Sequence, residues 1–599
     1  MVTAKYNTYV GMRYVPIFDG EWDRTKTYEP LVIVSNQGNS YTSRTFVPTG
    51  IDITNETYWA LTGNYNAQVE YYRQETARVA EELKTRAKIY DTVSDMVEDM
   101  TLTLGESCFT LGYYNINDNG ATIYELVSTP SAYTIELDNG LYAMPIISDS
   151  VTPEMFGAYG DGIHDDTSAL RLALEHDAVN VILTKTYYTA EKITVTKNKI
   201  ITGGGTIKCP SFDAKQEILY FTCEDVTIEN IHFNSIRDND NVTPPEGHTR
   251  DAECLVSNVW FICGSGVKHF TVDNVTFDNS EYDCNFYDCD NVVINNFISN
   301  NASMCTYFSG NKYVTMTNGY IKLYPLLGTG DHAIYACYGN DKVVIDNVDI
   351  ISSDAKSSHY PIHVFATAEQ ITQYGLTKDV IITNCYIEYA EQCFATMVEK
   401  QFLVSNSKLI AVTTQSSDKL FYCGSSSSGA YFCIKDSIIR AEENYITFTN
   451  TIQNCTLYLI NCQMQWETIR FEDVYDTKII FDGCRLKNIV GTATFDSDLE
   501  IYRSQIVSTS DFAIYLNTVG RSVKIEDCYL VSSGDGLISL RKTGDEMLLL
   551  RCTGKKTGTS NKLEYNGDFT PVINAAYCYF PTVMIRSNAV NNISSTFLS

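Results

Sequence analysis

A short pattern, apolar-x-apolar-x-Asn, returns along the carboxy-terminal two-thirds of the chain and constrains its fold more than any other feature. It closes at Asn230, Asn274, Asn296, Asn318, Asn347, Asn384, Asn406, Asp436, Asn461, Gly483, Arg503, Asp527 and Cys552. The intervals are 44, 22, 22, 29, 37, 22, 30, 25, 22, 20, 24 and 25 residues. A base period of 20–25 with insertions marks a solenoid of strands and fits helical repeats poorly. Each unit is an alternating strand, mostly closed by residues that tolerate left-handed φ. Eight of the thirteen closing residues are Asn, which predicts a ladder of stacked amides. The first interval leaves room for one further rung at LVSNVWFIC, 255–263. At ~4.8 Å per rung the repeats form a rod of about 60 Å. The fold class is therefore all-β, a parallel β-helix over 151–580 followed by a tail, 581–599.

Composition narrows the functional classes. The 599 residues carry 73 acids against 44 bases, a formal charge of −29, which argues against nucleic-acid binding. The amino terminus lacks an apolar signal core, and no run of apolar residues is long enough to span a bilayer. The expectation is a chain folded in a cytosol without membrane insertion. Its 19 cysteines include no C-x-x-C pair and sit in strand-like runs, as buried thiols do.

Upstream of the repeats the chain changes character. Residues 1–64 form a small aromatic-rich β module in which Trp22, Tyr28, Tyr41 and Trp59 stand out. Two readings compete there. Trp22, Tyr41 and Trp59 are either an exposed row that stacks on sugar rings, or, with Tyr28, a small core. The W-D-x-x-x-x-Y pattern and the aromatics after it loosely resemble small carbohydrate-binding modules of the chitin-binding type. Over 65–100, Val69, Tyr72, Thr76, Val79, Leu83, Arg86, Tyr90, Val93, Val97 and Met100 step by alternating three and four residues. This predicts a coiled-coil helix and hence an oligomer; the alternative is a single amphipathic helix packed on a domain. Residues 101–150 read as short strands with Asn/Gly turns, a small β subdomain.

Residues 157–167 read GAYGDGIHDDT. Physically this is a glycine turn followed by a capped helix whose Leu170, Ala173 and Leu174 share one face. As a pattern it closely resembles the G-A-x-G-D-G-x-x-D-D-T signature that opens the pectate-lyase-like β-helix domains of bacteriophage tailspikes and appendages. GYYNINDNGATIYEL is similar to the β subdomain that often precedes that domain, so the resemblance spans roughly 101–590. It implies a right-handed β-helix plugged by the helix after the signature, and a homotrimer. It further implies a virion protein assembled in the host cytoplasm, docked to other virion proteins through residues 1–64, that recognises a host surface glycan or teichoic-acid-like polymer. Fold alone does not grant cleavage. The alternatives are a non-catalytic receptor-binding fibre and a free polysaccharide lyase or glycoside hydrolase.

Phosphate-loop, dinucleotide, HExxH and nucleophile-elbow motifs are absent, so no cofactor is expected. Asp161, Asp165 and Asp166 sit where a turn and a helix start need acids. The acidic run at 238–241 lacks calcium-loop spacing, and no metal is expected. Glycan-cleaving β-helices use carboxylates brought together from different rungs, so polar groups near the widest insertions, 319–342 and 348–379, are the candidates. They are Asp331 as acid or base, His332 and His363 as its partners, and Glu391 as a second carboxylate.

Overall fold

The computed structural model describes residues 16–593 apart from 64, 87, 211, 213–214, 236–258, 303, 324–331, 352–359, 390–391, 412–418, 424–428, 441–444, 450–451, 492–494, 510–511, 517–521, 534–536, 541–545, 557–561, 566–571, 580–583 and 587–590. A four-stranded sheet comes first, built from Ile17–Glu21, Val32–Asn36, Asn39–Ser43 and Trp59–Gly63 in that order. Its core is Tyr28, Val34, Val47, Ile53 and Trp59, with Trp22 and Tyr41 packed against it. The Trp59 ring is 2% exposed and meets Tyr28 edge-on at 5.2 Å. Tyr28 and Trp59 are therefore core residues, while Trp22 and Tyr41 pack on that core and stay partly exposed. Trp59 is closed to a sugar ring because the module has few other large apolar groups to bury.

Helix α1 runs Tyr65–Arg86, shorter than the heptads predict. A strand, Lys88–Tyr90, follows, and Thr92 then starts a new helix, α2 (Val93–Val97), with a capping box closed by Asp95. These residues belong to a five-stranded sheet with Ser107–Thr110, Thr122–Val127, Ile135–Glu136 and Tyr142–Pro145. Val93 and Met96 enter its core beside Leu102, Cys108, Tyr124 and Leu126, and Tyr90 and Val97 pack on it. Tertiary packing thus claims the carboxy-terminal part of the heptad pattern. On α1 the positions Val69, Tyr72 and Val79 stay 65%, 60% and 40% exposed.

From Ser150–Val151 to Asn591–Ile593 the strands form one continuous β-solenoid of about 16 turns, paired in parallel from rung to rung. The first apolar position of every repeat falls in one register column. It runs Val226, Phe270, Val292, Val314, Val343, Val380, Phe402, Phe432, Leu457, Ile479, Leu499, Val523 and Met547. All of these lie in the single core inside the coil. The closing residues take left-handed φ, from 46° at Arg503 to 67° at Gly483. The last expected turn is displaced by one residue: Arg551 (φ 47°) turns, and Cys552 is the buried residue after it. Tyr577 (φ 56°) makes a further turn.

Side chains stitch the turns together. The Asn274 amide donates to Asn230 Oδ1 (2.6 Å), Asn347 to Asn318 (2.8 Å) and Asn461 to Asp436 (2.9 Å). One residue on, Cys or Ser occupies a second ladder. Ser407 and Cys528 donate back to the carbonyls of Ser405 (2.8 Å) and Glu526 (3.2 Å). The cysteines whose side chains are described are buried and outside any disulfide. Among the described residues no helix is long and apolar enough to cross a membrane.

The signature closes the first rungs. Asp166, 2% exposed, accepts hydrogen bonds from the amides of Tyr159 (2.7 Å), Gly160 (3.2 Å) and Tyr188 (3.3 Å), tying the turn to the strand beneath. Asp165 accepts from the Thr167 amide (3.0 Å), and Asp161 from those of Ile163 and His164 (2.9 Å each). Helix α3 (Thr167–Glu175) then buries Leu170, Ala173 and Leu174 in the solenoid core. All three acids are structural.

Candidate glycan-binding face

A solenoid strand normally alternates inward and outward side chains. On the strands Gln216–Phe221, Val259–Ser265 and Tyr282–Tyr287 that alternation breaks at a corner. Phe261 and Ile262, consecutive residues, both enter the core, while Trp260 and Cys263 on either side of them do not. Two outward columns result. One runs Glu217, Trp260, Tyr282, Met304. The other runs Tyr220, Cys263, Asn285, Tyr307, Tyr335, His363.

These outward side chains pack on one another as a separate apolar cluster of Trp260, Cys263, Tyr282, Tyr287, Met304 and Tyr307, joined by Tyr220. Ring contacts run through it continuously. Trp260 meets Tyr282 at 4.5 Å, Tyr282 meets Tyr307 at 6.3 Å, and Tyr307 meets Tyr335 at 5.2 Å. Tyr335 stacks on His363 at 4.7 Å, and His363 on Phe365 at 5.3 Å. From Trp260 to His363 the strip crosses four rung intervals, about 19 Å at ~4.8 Å each. Tyr287, Tyr307, Tyr335 and His363 are half-buried, so parts of each ring reach the surface. Burial raises the Tyr287, Tyr307 and Tyr335 phenols well above the ordinary range, keeping them protonated as hydroxyls.

Charged groups gather at the amino-terminal end of the strip. Lys215 Nζ lies 3.0 Å from the centroid of Trp260, and Lys192 Nζ 3.7 Å from that of Tyr220. Lys192 is ion-paired with Glu217. Trp260 Nε1 donates to Glu281 Oε2 at 3.2 Å. Glu217 and Glu281 stand one rung either side of Trp260, roughly 10 Å apart along the backbone stack.

At the other end His332 and His363 come together from adjacent strands, Nε2 to Nδ1 at 2.8 Å. Burial pushes His363 down to about 3, so its imidazole is neutral at physiological pH. It serves as a hydrogen-bonding and stacking ring rather than a cation. Asp331 and Glu391 lie outside the described residues, as does the acidic run at 238–241. Among the described residues no cluster of three or more His, Cys, Asp or Glu is arranged to hold a metal.

Sequence reasoning missed Trp260, Tyr282, Tyr307, Tyr335 and the carboxylates beside Trp260. A signal was present: aromatic or sulfur side chains recur at intervals of 22 (260, 282, 304) and 28 (307, 335, 363). The double inward step at the corner hides it from any count of period two. The insertions at 236–258, 324–331 and 352–359 immediately precede, in sequence, the strands bearing Trp260, His332 and His363.

No protein-family model matches the chain, and no curated protein matches its sequence. Similar solved structures include the enzymatically active domain of tailspike protein 4 of bacteriophage CBA120, with TM-score 0.40 and 11% identity over 79% of this chain and 64% of that one. Another is WceF of Pantoea stewartii, described as a glycan biofilm modifying enzyme with a tailspike-like parallel β-helix fold (TM-score 0.33, 12% identity, 67% of this chain, 49% of that one). A third is the Streptococcus pneumoniae surface protein and adhesin PfbA (TM-score 0.30, 13% identity, 73% of this chain, 100% of that one). The chain spans less than two-thirds of the length of the first two.

Proposed function

We propose that the chain is a phage tailspike or appendage subunit that binds a host surface polysaccharide or teichoic-acid-like polymer along the aromatic strip. The observation that carries this reading is the outward ring series, anchored on the buried Trp260 and Tyr282 and reaching the surface at Tyr287, Tyr307, Tyr335 and His363. Aromatic faces and edges bordered by tyrosine hydroxyls, amides and carboxylates are what a run of sugar rings requires: apolar contact for ring faces and hydrogen bonds for hydroxyls. The signature at 157–167 supports the phage assignment. The apolar positions left exposed on α1 support a homotrimer assembled through that helix, and residues 1–64 would dock the spike to other virion proteins.

Cleavage is a second reading, favoured by the carboxylates that flank Trp260. In it Glu217 and Glu281 act as acid and base on a sugar held over the strip, with the His332–His363 pair positioning the chain further along. The experiment is direct. Purified protein is incubated with host surface polymer, and both retention and chain length of the polymer are measured. Tyr307→Leu and Tyr335→Leu keep an apolar side chain while removing aromatic stacking and the hydroxyl, and should weaken retention about tenfold each. Retention unchanged in the double variant overturns the strip as the binding face. Shortened products lost in Glu281→Gln support cleavage; full-length polymer with wild type makes the chain a receptor-binding fibre. Absence of the chain from purified particles would favour a free enzyme.

A further inference from the structure

The geometry points to a second, separate carbohydrate subsite on the asparagine-ladder face, sized for one neutral pyranose ring. A surface depression of about 380 Å³ is lined by Asn296, Ile298, Asn318, Tyr320, Asn347 and Asp349, with Phe297 and Gly319 beneath. It exists because the stack lacks a side chain there. At Gly319 a Cβ would stand 2.1 Å from the Phe297 ring, so Phe297 lies across the rung in the space a side chain would have filled.

Turn amides reach back in two ways along the stack: those of Asn296 and Asn318 go to Asp273 (3.0 Å) and Asn295 (2.9 Å), the residues before the preceding turns. Asn347 donates its amide to Asn318, but the next turn amide, of Asn384, goes to Asp346 (2.7 Å) instead. Among the described residues the Asn347 carbonyl oxygen therefore accepts no turn amide, and it stands beside the depression. Ile298 and Tyr320 face each other across adjacent rungs and are 44% and 37% exposed. Asp349 is the register partner of Tyr320 one rung on. Among the described residues neither the Tyr320 hydroxyl nor the Asp349 carboxylate has a hydrogen-bond partner.

An apolar wall, a carboxylate able to accept two hydroxyls, an amide carbonyl and a phenol form the inventory that holds a sugar ring by one face and one edge. Among the described residues no Lys or Arg lines the depression, so an anionic sugar would meet Asp349 uncompensated. The ligand class is neutral. This subsite does not depend on the aromatic strip.

The test uses the full chain with methyl glucoside, methyl galactoside and methyl mannoside, each titrated by saturation-transfer NMR. At least one should bind with a Kd of about millimolar, the range a single ring reaches. Asp349→Asn and Tyr320→Ala should each weaken that binding about tenfold, while Tyr307→Leu leaves it unchanged. Both altered side chains are at the surface, and matched melting curves confirm folding. Failure of all three glycosides to bind, or binding equal in Asp349→Asn and wild type, overturns the proposal. So does glucuronate binding as tightly as the neutral rings. Loss of polymer retention in the strip variants with glycoside binding preserved separates this subsite from the strip.

Discussion

Nδ1 of His363 lies 2.8 Å from Nε2 of His332 on the preceding rung, so one ring donates to the other and only one of those two nitrogens carries a proton. Burial holds His363 neutral, down to about 3 from the ordinary 6.5. A base depressed on folding contributes stability that is complete above its unfolded value and is lost as pH falls through the folded one. Stability should therefore decline as pH drops from 6.5 toward 3, and His363→Asn, which keeps a hydrogen-bonding group near Nδ1, should flatten that decline. Urea midpoints across the window give the comparison; parallel curves for the two proteins would refute it.

Asp283 has the opposite sign in an overlapping window. It is 1% exposed inside the coil, accepts from Ser280, and burial raises it to about 7 from 3.8. The folded state prefers the neutral acid, so its contribution is present below 3.8 and is lost as pH rises toward 7. Asp283→Asn should gain on wild type as pH is raised through that range. A difference between them that does not change with pH would show that the carboxyl is ionised when buried.

Asn347 takes φ 54° at its turn. A β-branched residue there is strained, and Asn347→Val should cost about 1–3 kcal/mol, with Asn347→Gly the milder change. Thermal unfolding ranks the three proteins. Equal stabilities would mean that the backbone at this turn is not left-handed.

Gly319→Ala places a methyl group against the Phe297 ring and should destabilise by about 1–3 kcal/mol through overpacking. Phe297→Leu alone should also cost stability, by leaving space. Combining the two should cost less than their sum, because the smaller ring position admits the methyl. Strict additivity would show that the two sites do not share the space.

The proposed assembly through α1 predicts that Val69→Asp together with Val79→Asp lowers the mass seen by light scattering on residues 1–150, since charge is costly in an apolar interface. An unchanged mass would place the oligomer contacts on other elements.

The solenoid was legible because its signal is redundant: each rung repeats the same inward column and the same left-handed turn. The misplaced turn at Cys552 arose where Leu548, Leu549 and Leu550 are consecutive, so that alternation no longer marks which leucine is inward. The heptad reading failed beyond Arg86 for a different reason. Tyr90, Val93 and Val97 satisfy a helical period, yet the small sheet around Tyr124 and Leu126 offers them a core that the period cannot describe. Trp22, Tyr41 and Trp59 were ambiguous because sugar platforms and small cores use the same residues, and only burial tells them apart. His332 and His363 were singled out through the insertions beside them, and the structure brings the two rings together, whereas the strip between them and Trp260 needed the corner at Phe261–Ile262 to be known.

The in-register stacking of the turns also bears on how such a chain can change length over generations. Turn residues keep alignment from Asn461 through Gly483, Arg503 and Asp527 to Arg551 although the spacing between them varies. Residues added between strands are absorbed outside the stack, whereas a single residue added or lost within a strand reverses every side chain beyond it. Duplication or loss of one whole rung leaves matching surfaces above and below. Reach is therefore open to selection in steps of about 4.8 Å, without redesign of either end.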